Sequence, residues 1–174
     1  MLKFEDRIRE INDRLGIPDG YESKYGLSIQ YEENSLVEIG RDVFDRKQFL
    51  SEDTAISWNN MRRNANNDGV QLDIVSAFRS VNKQVSIIES KLKKGQSIST
   101  ILEVNAAPGY SEHHTGRAID ISTPGCEPLV EAFDLTEAFR WLVENAGVYS
   151  FSLSYPKGNP TGIAYEPWHW AYSK

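Results

Sequence analysis

The chain has 174 residues, of which 40% are hydrophobic and 11% aromatic, so it is long enough to bury a core and lacks the composition of a disordered protein. Its formal net charge of −6 argues against a nucleic-acid-binding surface, which requires a basic patch. A single cysteine, Cys126, excludes an internal disulfide, and no apolar run reaches the roughly 20 residues of a membrane span.

The N-terminal part predicts two helices separated by extended segments. Apolar residues at helical spacing predict the first helix over 4–15, with Gly16 to end it. Short extended pieces follow, with a polar turn at 32–35. Ser51 precedes two acidic residues and predicts the N-cap of a second helix that ends near Asn66.

The middle of the chain predicts strands and helices in turn. The alternation of "VQLDIVSAF" predicts a strand over 70–78, and a helix follows from 80 to 95. Its last turn carries a basic cluster, Lys91, Lys93 and Lys94, which we interpret as a solvated face. A short helix capped by Ser97 and a short strand, "RAIDIS", come next.

The C-terminal part predicts one long helix and two extended segments. The segment 127–147 forms the helix, and its candidate core residues are Leu129, Phe133, Ala138, Trp141 and Leu142. Extended segments follow at 148–153 and 162–172. Helices that cluster early and strands that cluster late favour one α+β domain over 1–174, with a small, mostly antiparallel sheet flanked by helices.

The N-terminus lacks the apolar core of a signal peptide. We therefore expect a cytoplasmic protein, or a periplasmic or cell-wall-facing one if a leader has been removed. No nucleic acid and no membrane span are expected.

The three histidines are the main candidates for a metal centre. A catalytic zinc site usually has three protein ligands and a water in an open fourth position. The candidates are one histidine of the pair His113 and His114, together with Asp120 and His169. Asp120 lies between two isoleucines, where a carboxylate is usually paired or coordinating.

A fourth candidate, Glu166, lies three residues before His169 in "EPWHW". In a regular strand the two side chains point to opposite faces, so a shared site requires a bulge or a twist between them. Each residue alone is more often an ordinary core or surface residue. A structural zinc is a further alternative, with Cys126 or His114 as the fourth ligand.

Together these residues resemble the zinc D-alanyl-D-alanine carboxypeptidases and dipeptidases of the VanY and VanX type. The family pattern Ser-x-His-x-x-Gly-x-Ala-x-Asp is matched at 111–120, and Glu-x-Trp-His at 166–169. A third element, Ser-x-Phe-Arg-Ser-x-x-x-Gln, is matched at 76–84. The motif-bearing part is thus about 70–174, and 1–69 carry no recognisable motif. The resemblance implies a hedgehog/DD-peptidase-like fold.

The resemblance also implies a role for each matched residue. One zinc ion per chain is held by His113, Asp120 and His169. Glu166 is the general base, and Arg79 is a catalytic cation near the scissile carbonyl or the terminal carboxylate of the substrate. The implied substrate contacts are Ser111, Gln84 and Trp168.

The implied function is zinc-dependent hydrolysis of the terminal D-Ala from peptidoglycan stem peptides, with a peptide ending in D-Ala as the binding partner. The alternatives are an L,D-carboxypeptidase, a D-Ala-D-Ala dipeptidase, a phage-type endolysin peptidase, and a non-catalytic zinc-binding module like the hedgehog domains. Glu166 favours an enzyme, because a non-catalytic site needs no base.

Overall fold

The computed structural model describes residues 3–173, so residues 1, 2 and 174 of the predicted domain lie outside the described residues. The helices and strands, in chain order, are α1 (Phe4–Leu15), α2 (Tyr21–Tyr25), β1 (Leu36–Arg41), β2 (Lys47–Ser51), α3 (Glu52–Asn67), β3 (Asp73–Ser76), α4 (Val81–Lys93), α5 (Ile98–Leu102), β4 (Ala118–Ser122), α6 (Glu137–Asn145), β5 (Phe151–Leu153) and β6 (His169–Tyr172). Short 3-10 helices lie at Glu112–Thr115, Glu131–Leu135 and Ala146–Tyr149.

The central sheet has four strands in the order β3-β4-β6-β5, and every neighbouring pair is antiparallel. Strands β1 and β2 form a separate antiparallel hairpin. The predicted α+β class with a small antiparallel sheet is confirmed. Strands β1, β2 and β3 lie among the helices of the first half, so the strands do not cluster late in the chain as predicted.

Strand alternation separates a core face of the sheet from a polar face. In β4, Ile119 and Ile121 belong to the larger hydrophobic cluster, as Trp170 does in β6. Successive side chains of a strand point to opposite faces, so Asp120 and His169 share the other face. The register pairs these two residues directly across the ladder.

A second hydrophobic cluster joins the N-terminal helices to α4 and α5. Ile8 and Leu15 of α1 belong to it together with Val85 and Ile88 of α4. Tyr155, from the segment between β5 and β6, is also a member. Within residues 3–173, no helix has both the length and the apolar character needed to cross a bilayer.

The segment predicted as one long helix is broken at Thr136. The Thr136 hydroxyl accepts a hydrogen bond from the amide of Phe139 at 3.1 Å, so Thr136 is the N-cap of α6, and a 3-10 helix precedes it. Leu129 lies before both helices, has a positive φ of 58° and is 48% exposed, so its predicted core position is wrong. The other four predicted core residues of this segment are buried.

Other boundaries follow the sequence with local changes. Helix α1 ends at Gly16 in the left-handed conformation, and Ser97 caps α5 as predicted. The helix predicted from residue 80 begins with Ser80 as the N-cap of α4. Ser51 precedes α3, but its hydroxyl contacts the hydroxyl of Thr54 at 2.8 Å and caps no backbone amide. The predicted strands 70–78 and 148–153 shorten to β3 and β5, and Val148 is exposed.

Candidate metal and peptidase site

The three predicted metal ligands meet on the polar face of the sheet. Nε2 of His113 lies 3.2 Å from Oδ2 of Asp120, and Nδ1 of His169 lies 3.0 Å from Oδ1 of the same carboxylate. One ligand atom from each of the three side chains lies within 4.8 Å of the others, and all three residues are buried. In the described part of the chain, neither Cys126 nor His114 joins this group, which argues against a structural site with four protein ligands.

The outer nitrogen of each imidazole is hydrogen-bonded, which orients the ring. Nδ1 of His113 lies 2.6 Å from the carbonyl oxygen of Ala77, so it carries the proton and leaves Nε2 free towards Asp120. Nε2 of His169 lies 2.8 Å from Oε2 of Glu112. A proton held there leaves Nδ1 free to bind an ion.

The donor set fits a divalent ion such as zinc. Two imidazole nitrogens and one carboxylate oxygen converge, and three protein ligands leave a coordination position for water or substrate. The carbonyl of Ala77 and the carboxylate of Glu112 provide the outer contacts that metal-binding histidines usually have.

Burial and close charges shift the ionisation of these groups in the metal-free protein. Burial by itself raises the pKa of Asp120, but His113 and His169 outweigh it and hold this pKa far below its ordinary range. Burial lowers the pKa of His113. Burial also acts to lower the pKa of His169, but the hydrogen bonds to Asp120 and Glu112 outweigh it and raise the pKa to about 10.

Glu166 reaches the same site through a tight turn. The amide of His169 donates to the carbonyl of Glu166 at 3.1 Å, and Pro167 occupies the first central position of that turn. The turn replaces the bulge or twist that the sequence required, and it brings Oε2 of Glu166 to 4.0 Å from Nδ1 of His169. Burial raises the pKa of Glu166 to about 7, with His169 opposing this shift.

Arg79 lies beside the ligand group between β3 and α4. Its guanidinium lies 3.8 Å from Oδ2 of Asp120 and donates to Oε1 of Gln84 at 3.0 Å and to the hydroxyl of Ser76 at 3.1 Å. Gln84 also donates to the carbonyl of Ala106 at 2.8 Å and is completely buried. Gln84 therefore lies behind Arg79 and supports its guanidinium, and the substrate contact implied for Gln84 stays a prediction.

His114 is buried, and both of its ring nitrogens are hydrogen-bonded to the backbone. Its Nδ1 lies 2.5 Å from the carbonyl oxygen of Arg79, and its Nε2 accepts a hydrogen bond from the amide of Gly109 at 3.2 Å. Burial lowers the pKa of His114 to about 4. The neutral ring joins two loops beside the candidate ligand His113.

Gly116 allows the sharp turn between the histidine loop and β4. Its φ is +64°, and a Cβ at this position would lie 2.9 Å from the backbone nitrogen of Ser51. The carbonyl of Gly116 also accepts from that nitrogen at 2.9 Å. Glycine is needed here both for the left-handed backbone and for the close approach of β2.

A cavity of about 300 Å³ opens onto these groups. The predicted site residues that line it are Arg79, Ser111, His113, Asp120, Glu166, Trp168 and His169. Sequence reasoning missed Tyr155, whose ring centroid lies 4.9 Å from that of His169, and Glu112. No sequence signal identifies either one, since Glu112 occupies a variable motif position and Tyr155 belongs to no motif.

The comparison with family models matches residues 47–174 to VanY, D-alanyl-D-alanine carboxypeptidase. A relative in Bacillus subtilis (strain 168), the putative carboxypeptidase YodJ, is 33% identical over 180 residues that cover 98% of this chain. The chain spans 65% of the length of that relative.

Two solved structures share the fold. The LdcB LD-carboxypeptidase has a TM-score of 0.73 and 34% identity, and the match covers 82% of this chain and 70% of that one. A variant of the vancomycin-resistance D,D-pentapeptidase VanY in complex with Zn(II) has a TM-score of 0.61 and 25% identity, with coverage of 86% and 80%.

Proposed function

The chain belongs to the VanY family of D-alanyl-D-alanine carboxypeptidases, and on that premise we propose that it is a zinc-dependent peptidase that removes the terminal D-Ala from peptidoglycan stem peptides. The observation that carries this proposal is the position of Glu166. Its carboxylate lies 4.0 Å from His169 in the cavity that the three candidate ligands line. A catalytic site needs a base at this position, and a purely structural metal site does not.

The reaction that the geometry supports is the addition of water to the scissile carbonyl. His113, Asp120 and His169 would hold a zinc ion, which would supply Lewis-acid chemistry for that carbonyl and for the attacking water. Glu166 accepts the proton of the attacking water. It then returns the proton to the amine nitrogen as the C–N bond breaks, which releases D-alanine and the shortened peptide.

Arg79 and the cavity walls have supporting roles in this proposal. The guanidinium of Arg79, held by Gln84 and Ser76, faces the ligand group and stabilises the negative charge that develops on the carbonyl oxygen. Ser111 and Trp168 line the cavity, where they contact the peptide and its small terminal side chain.

An L,D-carboxypeptidase is the second candidate. Of the two solved structures compared above, the LD-carboxypeptidase LdcB has the higher identity and TM-score. The two candidates use the same ligands and the same base. They differ in the peptide, because a DD-enzyme releases D-Ala from a pentapeptide and an LD-enzyme releases it from a tetrapeptide.

The test incubates purified, zinc-loaded protein with D-Ala-D-Ala, a pentapeptide and a tetrapeptide, and measures free D-alanine. Release from the pentapeptide supports the first candidate, release from the tetrapeptide supports the second, and release from the dipeptide alone indicates a dipeptidase. No release from any of the three contradicts the proposed function.

The Glu166→Ala variant tests the mechanism. We expect kcat to fall by ~10²- to 10⁴-fold, because the general base is lost, while zinc measured by elemental analysis remains bound at the wild-type ratio. The exposed Glu127→Ala is the matched control and keeps wild-type kcat. Wild-type activity in Glu166→Ala contradicts the assigned role of Glu166.

A further inference from the structure

Lys91, on the last turn of α4, lines the cavity of the metal site. It is only partly exposed, whereas the neighbouring Lys93 and Lys94 are exposed. The sequence grouped these three lysines into one solvated face, and the structure separates Lys91 from the other two. Lys91 follows Gln84 by seven residues, or about two helical turns, so both side chains lie on the same side of α4.

The charge of Lys91 has no counter-ion close to it. Among residues 3–173, no carboxylate oxygen lies within 4.0 Å of its ammonium group. Arg79, the other cation of the cavity wall, already contacts Gln84, Ser76 and Asp120. A partly desolvated ammonium without a partner is unfavourable, and an anionic ligand in the cavity removes that cost.

Burial and the charges near Lys91 also act on its pKa. Burial lowers the pKa of Lys91, and the positive charge of Arg79 lowers it further, while Glu166 acts in the opposite direction. The side chain therefore lies within electrostatic reach of both the guanidinium and the candidate base. A divalent ion at the ligand group would add positive charge to the same cavity and increase its affinity for an anionic substrate.

We propose that Lys91 is a specificity-determining residue that binds a carboxylate of the peptide substrate. Arg79 is held beside the metal ligands. Lys91 is therefore the cation of the cavity wall that is available to bind an anionic group of the substrate. This inference rests on the proposed peptidase function. The carboxylate has two possible sources, the C-terminus of the peptide and an acidic group within it.

The test compares Lys91→Met with Lys93→Met, which removes an exposed lysine from the same helix turn. We expect Lys91→Met to raise KM by ~10- to 100-fold, as for the loss of a charge-assisted hydrogen bond, and to change kcat by less than about 3-fold. Lys93→Met keeps the wild-type KM. An unchanged KM in Lys91→Met, or an equal rise in Lys93→Met, overturns the proposal.

Modified peptides identify the carboxylate. If Lys91 binds the C-terminus, amidation of the terminal carboxylate raises the wild-type KM by the same factor as Lys91→Met and adds nothing further in that variant. If it binds an internal group, amidation of that group has this effect. Either result supports the proposal. If each amidation raises KM by a further factor in Lys91→Met, the proposal is contradicted.

A binding measurement keeps this inference separate from the proposed function. The affinity of the unmodified peptide for zinc-loaded Glu166→Ala is measured by calorimetry with and without Lys91→Met. If wild-type protein hydrolyses no peptide, the proposed function fails, and a ~10- to 100-fold weaker affinity with Lys91→Met still supports carboxylate binding. Equal affinity for the two proteins overturns it.

Discussion

At the scale of single residues, the candidate site depends on hydrogen bonds that fix each imidazole. His169 is held between the carboxylates of Asp120 and Glu112 at 3.0 and 2.8 Å. Glu112 lies in the same loop as His113. Its hydrogen bond to His169 therefore links the two parts of the candidate site, in addition to the link through the carboxylate of Asp120. Burial by itself raises the pKa of Glu112, but the hydrogen bond from His169 and the charge of that ring oppose it, and the pKa is lowered.

The first prediction concerns Glu112. We expect Glu112→Ala to weaken zinc affinity by ~10- to 100-fold, because the ring of His169 loses the partner that orients it. Glu112→Gln retains an acceptor oxygen and recovers most of the affinity. The measurement is competition with a chromophoric chelator, and Glu127→Ala is the exposed control. Equal zinc affinity in Glu112→Ala and wild type would contradict this role.

The sequence predicts the chemical groups of the site better than their supports. His113, Asp120, Glu166 and His169 are recognisable because they match the motif positions of a known family, which need the residue types of a metal site and a base. Glu112 is not recognisable, because its partner is 57 residues away and only the fold brings the two together. Gln84 matches a motif position, yet the fold buries it as the support of Arg79.

At the scale of elements, the β1–β2 hairpin holds the end of β3 next to His113, a candidate metal ligand. The buried Asp42 accepts from the amides of Phe44 and Arg46 at 2.8 and 3.0 Å, and from Gln48 at 2.7 Å. Gln48 in turn accepts from the amide of Ala77 at 2.9 Å. The carbonyl of Ala77 is the partner of His113, so the turn contributes to the orientation of that ligand.

The second prediction concerns the pH dependence of this turn. Burial by itself raises the pKa of Asp42, but the hydrogen bonds from Arg46 and Phe44 outweigh it and lower the pKa below the ordinary value of an aspartate. A lowered pKa in the folded state means that the stabilisation is present above about pH 4 and is lost as the pH falls. We expect Asp42→Asn to cost ~1 to 3 kcal/mol at pH 7.

The measurement is urea denaturation at pH 7 and at pH 3. The difference in the free energy of unfolding between wild type and Asp42→Asn should be smaller at pH 3, because the wild-type carboxylate is then losing its charge. Asp45→Asn is the matched control in the same turn, with 85% of its side chain exposed, and we expect no measurable change. If this difference is the same at both pH values, the stabilising role of the ionised Asp42 carboxylate is contradicted.

The element boundaries were predicted where capping chemistry is local. Gly16, Ser80 and Ser97 end or begin helices because each contributes a conformation or a hydrogen bond of its own. Apolar periodicity hid the break at Thr136, since the residues on both sides of it fit one helical pattern. The hydroxyl of Thr136 followed by Glu137 was the available signal.

At the scale of the whole molecule, the N-terminal region supports the loop that precedes the candidate metal ligands. The side-chain amide of Asn12 donates to the carbonyl of Pro108 at 3.2 Å, and the hydroxyl of Tyr21 accepts from the amide of Ala107 at 3.1 Å. Ile8 packs against Gly109, where a Cβ would lie 2.5 Å from its side chain. The sequence predicts α1 but not this packing, because residues 1–69 carry no motif.

The third prediction concerns this support. Ile8 is 1% exposed, and we expect Ile8→Ala to lower the free energy of unfolding by ~2 to 5 kcal/mol through lost burial and the cavity left behind. The measurement is urea denaturation, with Leu135→Ala as the control because Leu135 is 78% exposed. If Ile8→Ala lowers the free energy of unfolding no more than Leu135→Ala does, the N-terminal helix packs only loosely.

The direct pairing of Asp120 with His169 has a consequence for how the last strand finds its partner. Trp168 and Trp170 flank His169, so a slip of β6 by one residue would place an indole opposite Asp120 and turn the imidazole into the apolar core. Such a slip removes Trp170 from the hydrophobic core and breaks both hydrogen bonds of His169 at the same time. The residues proposed to carry out the chemistry thus also discriminate against misaligned pairing during folding.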